Sequence, residues 1–581
     1  MPGLYPCSHN GCTPKVRRCS PTPQVLGHYA HIFTCTDPEA NEQPTPILTG
    51  PPPATDVIGH LLGDFGLWQL RTLLILFLCQ IPAAWFMASI LFTAPDIYPE
   101  EEYSCNTSSI EGADNSSVSL DHCYVMVSYG DSGYAMHRCH QFHYSTLGFH
   151  SLVMEFDLAC LSDIFVAWSQ YWHLFGFFMG GVVATKLLPV LSPRQIYVTG
   201  IWSLLGCGLL TVLVNHFSLH CALRCLAAIA CSFLVTSGEA IFSDITAGKH
   251  RLAALLLYDT FWALGLILLP GMASFAHSWR HIYLEISLPL LVIIFLLPWT
   301  PDSPRWILQH TKDSQAGVNA AVEMLLEATR INGHWFSVPK DLPHQLALLR
   351  ERMLAQSSPV RWLDLWRGHS RSTIHMVAVH MALAAFLVVH VGLLLNIRSF
   401  GREHLLPNTM AMGLAEILGC FLAMYLTFRH GPRKWQWAGG ICIFGGCVGC
   451  LCWLFNDVAM PEAYEISVWL FLSTLPKAAV SCGQAMLLAC MGELVASEHR
   501  TQFAFSAHTW ARVWQLSACL LILLREVSTA LSLTAFCMLV ILGGLCTCCL
   551  VTPQQAQALE GVSMQEKGRQ RAGNGCHNII L

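Results

Sequence analysis

The chain has 581 residues, 54% of them hydrophobic and only 12% charged, with a formal net charge of −5 and a mean hydropathy of +0.47. A soluble protein of this length needs more charge to cover its surface, so the composition excludes an ordinary soluble domain and indicates a membrane protein. The small negative charge gives no electrostatic basis for a nucleic-acid partner, and none is expected.

The chain begins with a polar, proline-rich segment, residues 1–65, which is predicted to be a disordered cytoplasmic tail. Its cysteines and histidines lack the paired spacing of a structural zinc site, so no bound metal is expected. Residues 72–93 then form an apolar run without ionisable side chains. The run is long enough to cross a hydrocarbon layer ~30 Å thick. Because it follows a long polar segment and has no cleavage site, it is not predicted to be a signal peptide.

Apolar segments of similar length recur along the chain, which predicts twelve membrane-spanning helices. They are residues 72–93, 164–188, 196–214, 222–243, 252–274, 281–299, 373–395, 408–428, 436–455, 466–491, 502–524 and 530–551.

A charged segment, residues 300–372, separates the sixth span from the seventh and is predicted to be an intracellular helical loop. Ser303 is the expected N-cap of its first helix, because the serine hydroxyl can accept a hydrogen bond from the first turn. The sequence therefore divides into an N-terminal half (66–299), a C-terminal half (373–551) and a cytoplasmic C-terminal tail (552–581).

Positive charge indicates the orientation of the chain. Lysine and arginine follow the even-numbered spans, for example Lys186, Lys249, Arg433 and Arg500. Short cytoplasmic loops carry this excess, so these loops and both termini are predicted to be cytoplasmic.

The loop between the first two spans, residues 94–163, is acidic and is predicted to be extracellular. Its sequons at Asn106 and Asn115 predict glycosylation. It also holds four cysteines, which predict two disulfide bonds but leave three pairings open: Cys105, Cys123, Cys139 and Cys160. An unmodified acidic loop is the alternative.

Four short motifs in order carry a family resemblance. They are "LVMEFDLAC" (152–160), "WRHIYLEISLP" (279–289), "PDSPRW" (301–306) and "GELVASEHR" (492–500). With them the chain resembles the solute carrier 22 family of organic cation, anion and zwitterion transporters, over roughly residues 59 to 553. The resemblance implies an all-α polytopic protein of the major facilitator fold, with twelve transmembrane helices in two six-helix halves, in the plasma membrane.

The same family uses charged residues on the cytoplasmic side to hold its two halves together. The resemblance implies such gating roles for five residues of this chain: Arg305, Arg429, Arg433, Glu493 and Arg500. The acids that complete the latch are missing, because Thr185 and Phe428 stand at their positions. We therefore expect a weakened outward-facing state, since removing one partner of a buried ion pair is costly.

Ionisable side chains inside apolar spans mark candidate binding residues, because lipid does not solvate them. "WARV", which contains Arg512, is similar to "MARV" of the organic anion transporters, and this resemblance implies a cavity-facing anion site. The alternative is a structural pair with a carboxylate of the other half. Glu416 matches a family glutamate, but Cys420 stands where anion carriers have a lysine.

Three further residues complete the predicted substrate site. Lys477 matches a family lysine by its spacing to Glu493. The alternative role for Lys477 is structural, with its side chain extending toward the helix end to reach the membrane surface. Asp259, with Tyr258 beside it, is expected to pair with Arg512, to contact a cation or to carry a proton. Pairing is preferred, because it avoids two separate desolvation penalties.

Two function classes follow. The first is a secondary transporter of small organic ions, anionic or zwitterionic, that works by alternating access in the lipid bilayer. The second is a non-transporting ligand-binding receptor or scaffold. No phosphate-binding loop or nucleophile constellation indicates an enzyme, and no cofactor is expected. The terminal "IIL" is a candidate ligand for a PDZ domain by strand addition.

Overall fold

The computed structural model describes the greater part of the chain, all of it within one unit, Asp56–Leu581. The described residues are 57–62, 65–96, 103–106, 118–121, 123–128, 134–145, 148–333, 338–356, 370–400, 404–456, 458, 461–495 and 499–551. The remaining residues, which include Asn115 and the C-terminal candidate PDZ ligand, lie outside this part.

The N-terminal half consists of helices joined by short connections, apart from one long loop between the fourth and fifth helices. They are α1 (Val57–Leu62), α2 (Leu67–Leu78), α3 (Gln80–Ala88), α4 (Ile90–Thr93), α5 (Leu152–Glu155), α6 (Ser162–Leu187), α7 (Pro193–Val212), α8 (Phe217–Ile245), α9 (Gly248–Ala273), α10 (Trp279–Ser287) and α11 (Leu290–Leu296). Helix α7 shows why such helices begin where they do. The hydroxyl of its N-cap, Ser192, accepts a hydrogen bond from the Gln195 amide. In return, the Gln195 side-chain oxygen accepts one from the Ser192 amide, which completes a capping box.

The loop between α4 and α5 contains five short antiparallel strands, a local exception to the all-α prediction. They are β1 (Tyr103–Cys105), β2 (Val118–Asp121), β3 (Tyr124–Ser128), β4 (Tyr134–Arg138) and β5 (Phe142–Tyr144). Strand β1 pairs with β5, and β3 lies between β2 and β4. The two predicted disulfide bonds are present: Cys105 is bonded to Cys139, and Cys123 to Cys160. These bonds resolve the three open pairings.

The segment between the halves is helical, as predicted. It contains α12 (Pro304–His310), α13 (Ser314–Ile331) and α14 (Leu342–Gln356). The Ser303 hydroxyl accepts from the Trp306 amide, which confirms Ser303 as the N-cap of α12.

The C-terminal half repeats the helical pattern of the first. Its helices are α15 (Ser370–Asn396), α16 (Leu405–His430), α17 (Lys434–Gly449), α18 (Glu462–Cys490), α19 (Arg500–Gln515), α20 (Ala518–Ile522) and α21 (Thr529–Cys548).

All twelve predicted spans fall on helices. In the described part of the chain, nine helical segments are long and apolar enough to cross a membrane. One of them, Leu405–Leu454, is broken at Gly431, where φ is +48°, and so contains both α16 and α17. The predicted spans 164–188 and 502–524 correspond to α6 and to α19 with α20. The number of crossings stays a prediction.

One helix lies inside the segment that is predicted to be a disordered tail. Helix α1 buries Ile58, Leu61 and Leu62 and packs against α13 and α14. The spacing of these apolar residues places them on one helix face, which explains why this part is ordered.

The two halves meet along α6 and α9 of the N-terminal half. Helix α9 packs against α16 and α18, and α6 packs against α19 and α20. The chain enters α6 two residues after the disulfide-bonded Cys160, and just past its far end the Leu188 carbonyl accepts from the Trp306 indole of α12. We call the end of the bundle with β1–β5 the outer side and the end with α12–α14 the inner side.

Candidate functional site

A cavity of about 330 Å³ lies between the two halves. Helices α6, α8 and α9 line it on one side, and α15, α18 and α19 on the other. Its lining extends to Thr185, Ser243 and Thr501, which lie near the inner ends of α6, α8 and α19. The cavity therefore reaches from the middle of the bundle toward the inner side.

Arg512 lines this cavity from α19. Its guanidinium lies over the Phe177 ring, 4.2 Å from the ring centre, and donates to Gln515 Oε1 at 3.2 Å. Among the described residues no carboxylate lies within 4.0 Å of it, so the predicted direct pair with Asp259 is not formed. The guanidinium is thus open to a ligand.

Two carboxylates of the N-terminal half line the same cavity. Asp259 comes from α9 and Glu239 from α8, and both carboxylates act electrostatically on Arg512. Among the described lining residues, the cavity therefore presents one guanidinium and two carboxyl groups to a ligand.

Tyr258 also lines the cavity, as predicted, but its hydroxyl is engaged by the protein. It donates to the Val235 carbonyl at 3.3 Å, and the side chain is only 5% exposed. The close approach depends on Gly238, where a Cβ atom would lie 3.0 Å from the Tyr258 hydroxyl. Tyr258 therefore shapes the wall.

The structure brings Glu416 and Lys477 together, but outside the described cavity lining. Lys477 Nζ lies 3.1 Å from Glu416 Oε2, and His390 Nε2 lies 3.2 Å from Glu416 Oε1. The side chains of Lys477 and Glu416 are 0% and 1% exposed. Lys477 also donates to the His390 carbonyl at 2.9 Å. Their ammonium and carboxylate groups face each other inside the C-terminal half, and Lys477 does not extend to a helix end.

On the outer side, four charged residues connect the two halves. Asp96 and Asp163 belong to the N-terminal half, and Arg398 and Arg525 to the C-terminal half. Arg398 pairs with Asp96 and lies 3.7 Å from Asp163, while Arg525 pairs with Asp163 and lies 3.2 Å from Asp96. Each of these contacts joins one half to the other, so the outer side is closed by ion pairs.

The inner side carries a different set of contacts at the predicted gating residues. Glu493 pairs with Lys434 at 2.7 Å, and both residues lie in the C-terminal half. Arg429, Arg433 and Arg500 are exposed and form no ion pair with any residue that the structure describes. In the described regions, no ion pair to the other half is found for Arg429, Arg433, Glu493 or Arg500.

Thr185 and Phe428, which stand at the positions of the missing latch acids, form no link between the halves through an acidic group. The Thr185 hydroxyl donates to the Gly181 carbonyl of its own helix, and Phe428 is exposed. Neither side chain can accept from an arginine of the other half in the way a carboxylate would. Arg305, on α12, is half-buried and is not free, because it interacts with another part of the protein.

Sequence reasoning missed Glu239 and the outer ion pairs. The rule that marks Asp259 applies equally to Glu239, which lies inside the predicted span 222–243. Arg224 in the same span was also overlooked; it is buried and donates to Tyr283 and Gln170. The outer ion pairs have no sequence signal, because their members are far apart in the chain and lie at span ends.

Comparisons with known proteins agree with this arrangement. A family model for the Major Facilitator Superfamily matches residues 140–518. The chain is 24% identical to solute carrier family 22 member 20 of Mus musculus, over 69% of this chain and 70% of that protein. It is 23% identical to solute carrier family 22 member 1 of Bos taurus (65% and 70%) and 22% identical to organic anion transporter 3 of Sus scrofa (69% and 71%).

A solved structure shows the same fold. It is the partially occluded, inward-open conformation of the xylose transporter XylE from E. coli. The TM-score is 0.55 at 13% sequence identity, and the match covers 82% of this chain and 96% of that one. A likeness at this identity establishes the architecture of two helical halves around a central cavity.

Proposed function

The chain belongs to the major facilitator superfamily, and we propose that it is a secondary transporter of small organic ions that binds anionic or zwitterionic substrates beside Arg512. One observation carries the proposal: the Arg512 guanidinium, which has no carboxylate partner among the described residues, faces a cavity between the two halves of the molecule. A guanidinium binds a carboxylate or sulfate through two parallel hydrogen bonds. The relatives named above, which include an organic anion transporter, support the substrate class.

The charges around the cavity favour a zwitterion over a simple anion. Asp259 and Glu239 together outnumber Arg512, so a ligand with only negative charge would meet net repulsion. A zwitterion places its anionic group on Arg512 and its cationic group against the carboxylates. Phe177 and Phe505 in the lining provide apolar surface for the connecting atoms.

Transport then follows from the way the two halves meet. The cavity extends toward the inner side, while the outer ion pairs close the opposite side. Separation of Asp163 from Arg525 and closure of the inner ends of α6 and α19 would expose the same cavity to the outer side. Such rocking around a central site is alternating access. We place the transporter in the plasma membrane, in line with its resemblance to the solute carrier 22 family.

The alternative is a membrane receptor or scaffold that binds a ligand without transporting it. The observation that favours it is the absence of a latch acid at Thr185 and Phe428, together with the exposed Arg429 and Arg433. Without an inner latch the outward-facing state is less stable, so the cycle would stop in the inward-facing state.

The test compares three labelled probes of nearly equal shape in cells with surface-verified protein. They are a trimethylammonium carboxylate, its methyl ester, and the neutral-carbon isostere that keeps only the carboxylate. We expect uptake of the zwitterion and little uptake of the other two. In Arg512→Ala, uptake of the zwitterion should fall at least tenfold, since a hydrogen bond to a charged group contributes ~1.5–3 kcal/mol. Arg352→Ala, at an exposed arginine of α14, is the matched control.

Binding without uptake by the wild type would favour the receptor. Equal zwitterion uptake by wild type and Arg512→Ala, at equal surface levels, would reject the proposed site.

A further inference from the structure

A small cavity lies just inside the outer ion pairs. Its volume is about 20 Å³, and a particle the size of a water molecule needs about 10–15 Å³, so the cavity has room for one such particle. We call it the outer cavity. Both halves line it: Asp163, Ala167 and Gln170 come from the N-terminal half, and Arg398, Cys519 and Arg525 from the C-terminal half. The outer cavity is therefore complete only when the halves meet on the outer side.

The lining residues offer hydrogen-bond donors that have no partner. The Gln170 side-chain nitrogen and Arg398 Nε are buried and form no hydrogen bond within the described part of the chain. Gln170 is 1% exposed and Arg398 6% exposed. Asp163, the acid in the described lining, is already paired with Arg525 and lies 3.7 Å from Arg398. A water molecule needs acceptors as well as donors, whereas an anion only accepts, so these free donors suit an anion.

Arg224 fixes the direction in which the Gln170 amide faces. Arg224 Nη2 donates to Gln170 Oε1 at 2.8 Å, so the amide oxygen faces the guanidinium. A flipped amide would set two donors against each other. The amide nitrogen of Gln170 is thus directed away from Arg224, and it is available to the outer cavity that Gln170 lines.

Arg224 also brings a buried positive charge without an opposite charge beside it. It is 2% exposed, and its other partners are neutral, mainly the Tyr283 hydroxyl at 2.8 Å and the Ser89 hydroxyl at 3.0 Å. In the described regions no carboxylate lies within 4.0 Å of it. Burying a charge without a counter-charge is costly, so a nearby anion would stabilise this region.

The buried charges around the outer cavity leave one positive charge in excess. The three guanidinium groups of Arg224, Arg398 and Arg525 face two carboxylates, those of Asp96 and Asp163. Glu526, the residue after Arg525, is exposed, so solvent screens its charge. One monovalent anion makes the buried set neutral.

We propose that the outer cavity binds one monovalent anion of the size of chloride, with Gln170, Arg398 and Arg525 as its donors. The small volume excludes larger anions such as sulfate or an organic carboxylate. Because both halves line the cavity, the bound anion stabilises the closed outer side. The site is separate from the central cavity at Arg512, and its test needs no substrate.

Cys519 provides a native reporter within the outer cavity. It is 2% exposed and belongs to the cavity lining. A cationic methanethiosulfonate should reach this thiol only when the outer side opens, and a bound anion opposes that opening. The difference in labelling between the wild type and Cys519→Ser separates the Cys519 signal from that of the other free cysteines.

The test measures the Cys519 labelling rate of the purified full-length protein in sodium chloride and in sodium gluconate of equal ionic strength. Gluconate is too large for the outer cavity. Since only the anion-free protein opens, chloride should slow labelling about tenfold when its concentration is about ten times the dissociation constant. Bromide should act like chloride, and sulfate like gluconate.

Two variants remove the site in different ways. Gln170→Glu replaces the free donor by a carboxylate of nearly the same shape beside Arg224, so it supplies the missing negative charge itself. Its labelling rate should be the same in chloride and in gluconate. Ala167→Val narrows the cavity without changing any charge and should also lose the chloride response. It tests the site even if Gln170→Glu does not fold.

Two further variants are controls. Arg280 donates to Asn215 at 3.3 Å on the outer side, so Asn215→Asp makes the same change from amide to carboxylate beside an arginine, but outside the described lining of the outer cavity. It should keep the chloride response. Arg512→Ala should keep it as well, because Arg512 lines the central cavity.

Four results would overturn the proposal. Equal labelling of the wild type in chloride and gluconate means that no anion holds the outer side closed. A normal chloride response in Gln170→Glu or in Ala167→Val places the effect outside this cavity. Loss of the response in Asn215→Asp assigns it to general outer charge. Loss in Arg512→Ala places the anion in the central cavity.

Discussion

Arg512 is the residue on which the substrate proposal depends, and its chemistry can be separated from its charge. The guanidinium presents a planar fork to an oxyanion, whereas an ammonium is a compact point charge. The Phe177 ring, whose centre lies 4.2 Å from the guanidinium carbon, holds the guanidinium in place by a cation–π contact.

We therefore expect Arg512→Lys to recover little of the uptake lost in Arg512→Ala, although both variants should reach the cell surface. The measurement is zwitterion uptake at several concentrations. The lysine variant should keep less than a tenth of the wild-type ratio of maximal rate to half-saturating concentration. Near-normal uptake would mean that only positive charge is needed at position 512.

Glu239 should set the charge preference of the cavity. Glu239→Gln keeps the shape of the side chain but leaves one carboxylate, Asp259, opposite Arg512. We expect zwitterion uptake to fall about tenfold, since a charge-assisted hydrogen bond contributes ~1.5–3 kcal/mol. Competition by the carboxylate-only isostere should become stronger in the same variant.

Glu323→Gln on α13 is the matched control, since Glu323 does not line the cavity. Loss of zwitterion and carboxylate binding together in Glu239→Gln would indicate a structural role for Glu239 and contradict the charge argument.

At the residue scale, sequence reasoning selected Arg512 and Asp259 as candidates for a clear physical reason. Arg512 and Asp259 were identified because lipid cannot solvate an ionised side chain, so such residues face a cavity or a partner. The same rule cannot say whether a given residue faces the cavity or an ion-pair partner. Glu416 and Lys477 face each other inside one half, and only the three-dimensional structure separates them from the cavity lining.

At the scale of elements, the positions of the helices could be predicted from the apolar runs. The contacts between helices could not, because they depend on small residues at particular positions. Gly176 of α6 lies against α8, where a Cβ atom would be 2.2 Å from the Cys225 carbonyl oxygen. Backbone atoms cannot rotate away, so the contact requires glycine. By contrast, a Cβ atom at Gly206 of α7 would meet nothing within 4 Å.

Gly176→Ala should consequently destabilise the N-terminal half by about 1–3 kcal/mol, the usual cost of an added methyl group in a packed interface. The measurement is the thermal unfolding midpoint in detergent together with the surface level in cells. Gly206→Ala is the matched control and should leave both values unchanged. Equal behaviour of the two variants would contradict the close approach of α6 and α8.

The loop between α4 and α5 shows where element prediction stopped. Its cysteines indicated two disulfide bonds, and both are present. The strands escaped notice because none is longer than five residues, and their pairing depends on contacts between distant segments such as β1 with β5. Short strands need such partners for stability, so local sequence does not specify them.

For the whole molecule, the two sides differ in how they hold the halves together. Asp96 and Asp163 pair with Arg398 and Arg525 across the outer side. On the inner side, no ion pair between the halves is found in the described regions for Arg429, Arg433, Glu493 or Arg500. The missing acids at Thr185 and Phe428 predicted the second observation. The first could not be predicted, because sequence alone does not show which span ends are neighbours.

The orientation of the molecule gives the last prediction. Helix α6 is 26 residues long, and at ~1.5 Å per residue it is long enough to cross the membrane. The disulfide-bonded loop joins its first end, and α12 contacts the chain just past its last end. We therefore expect the two loops to lie on opposite sides of the membrane. Since disulfide bonds form in the secretory compartment, the loop with Asn106 and Asn115 should be extracellular.

Glycosidase should shift the gel mobility of the protein from mammalian cells, and Asn106→Gln with Asn115→Gln should abolish the shift. Epitope tags inserted between α13 and α14 should be reachable only in permeabilised cells, because that segment lies on the other side. Gln replacement of Asn456, an asparagine outside any sequon, is the control and should keep the shift. An unshifted wild-type band, with the tag stained on intact cells, would require the opposite orientation and would turn the inner cavity toward the cell exterior.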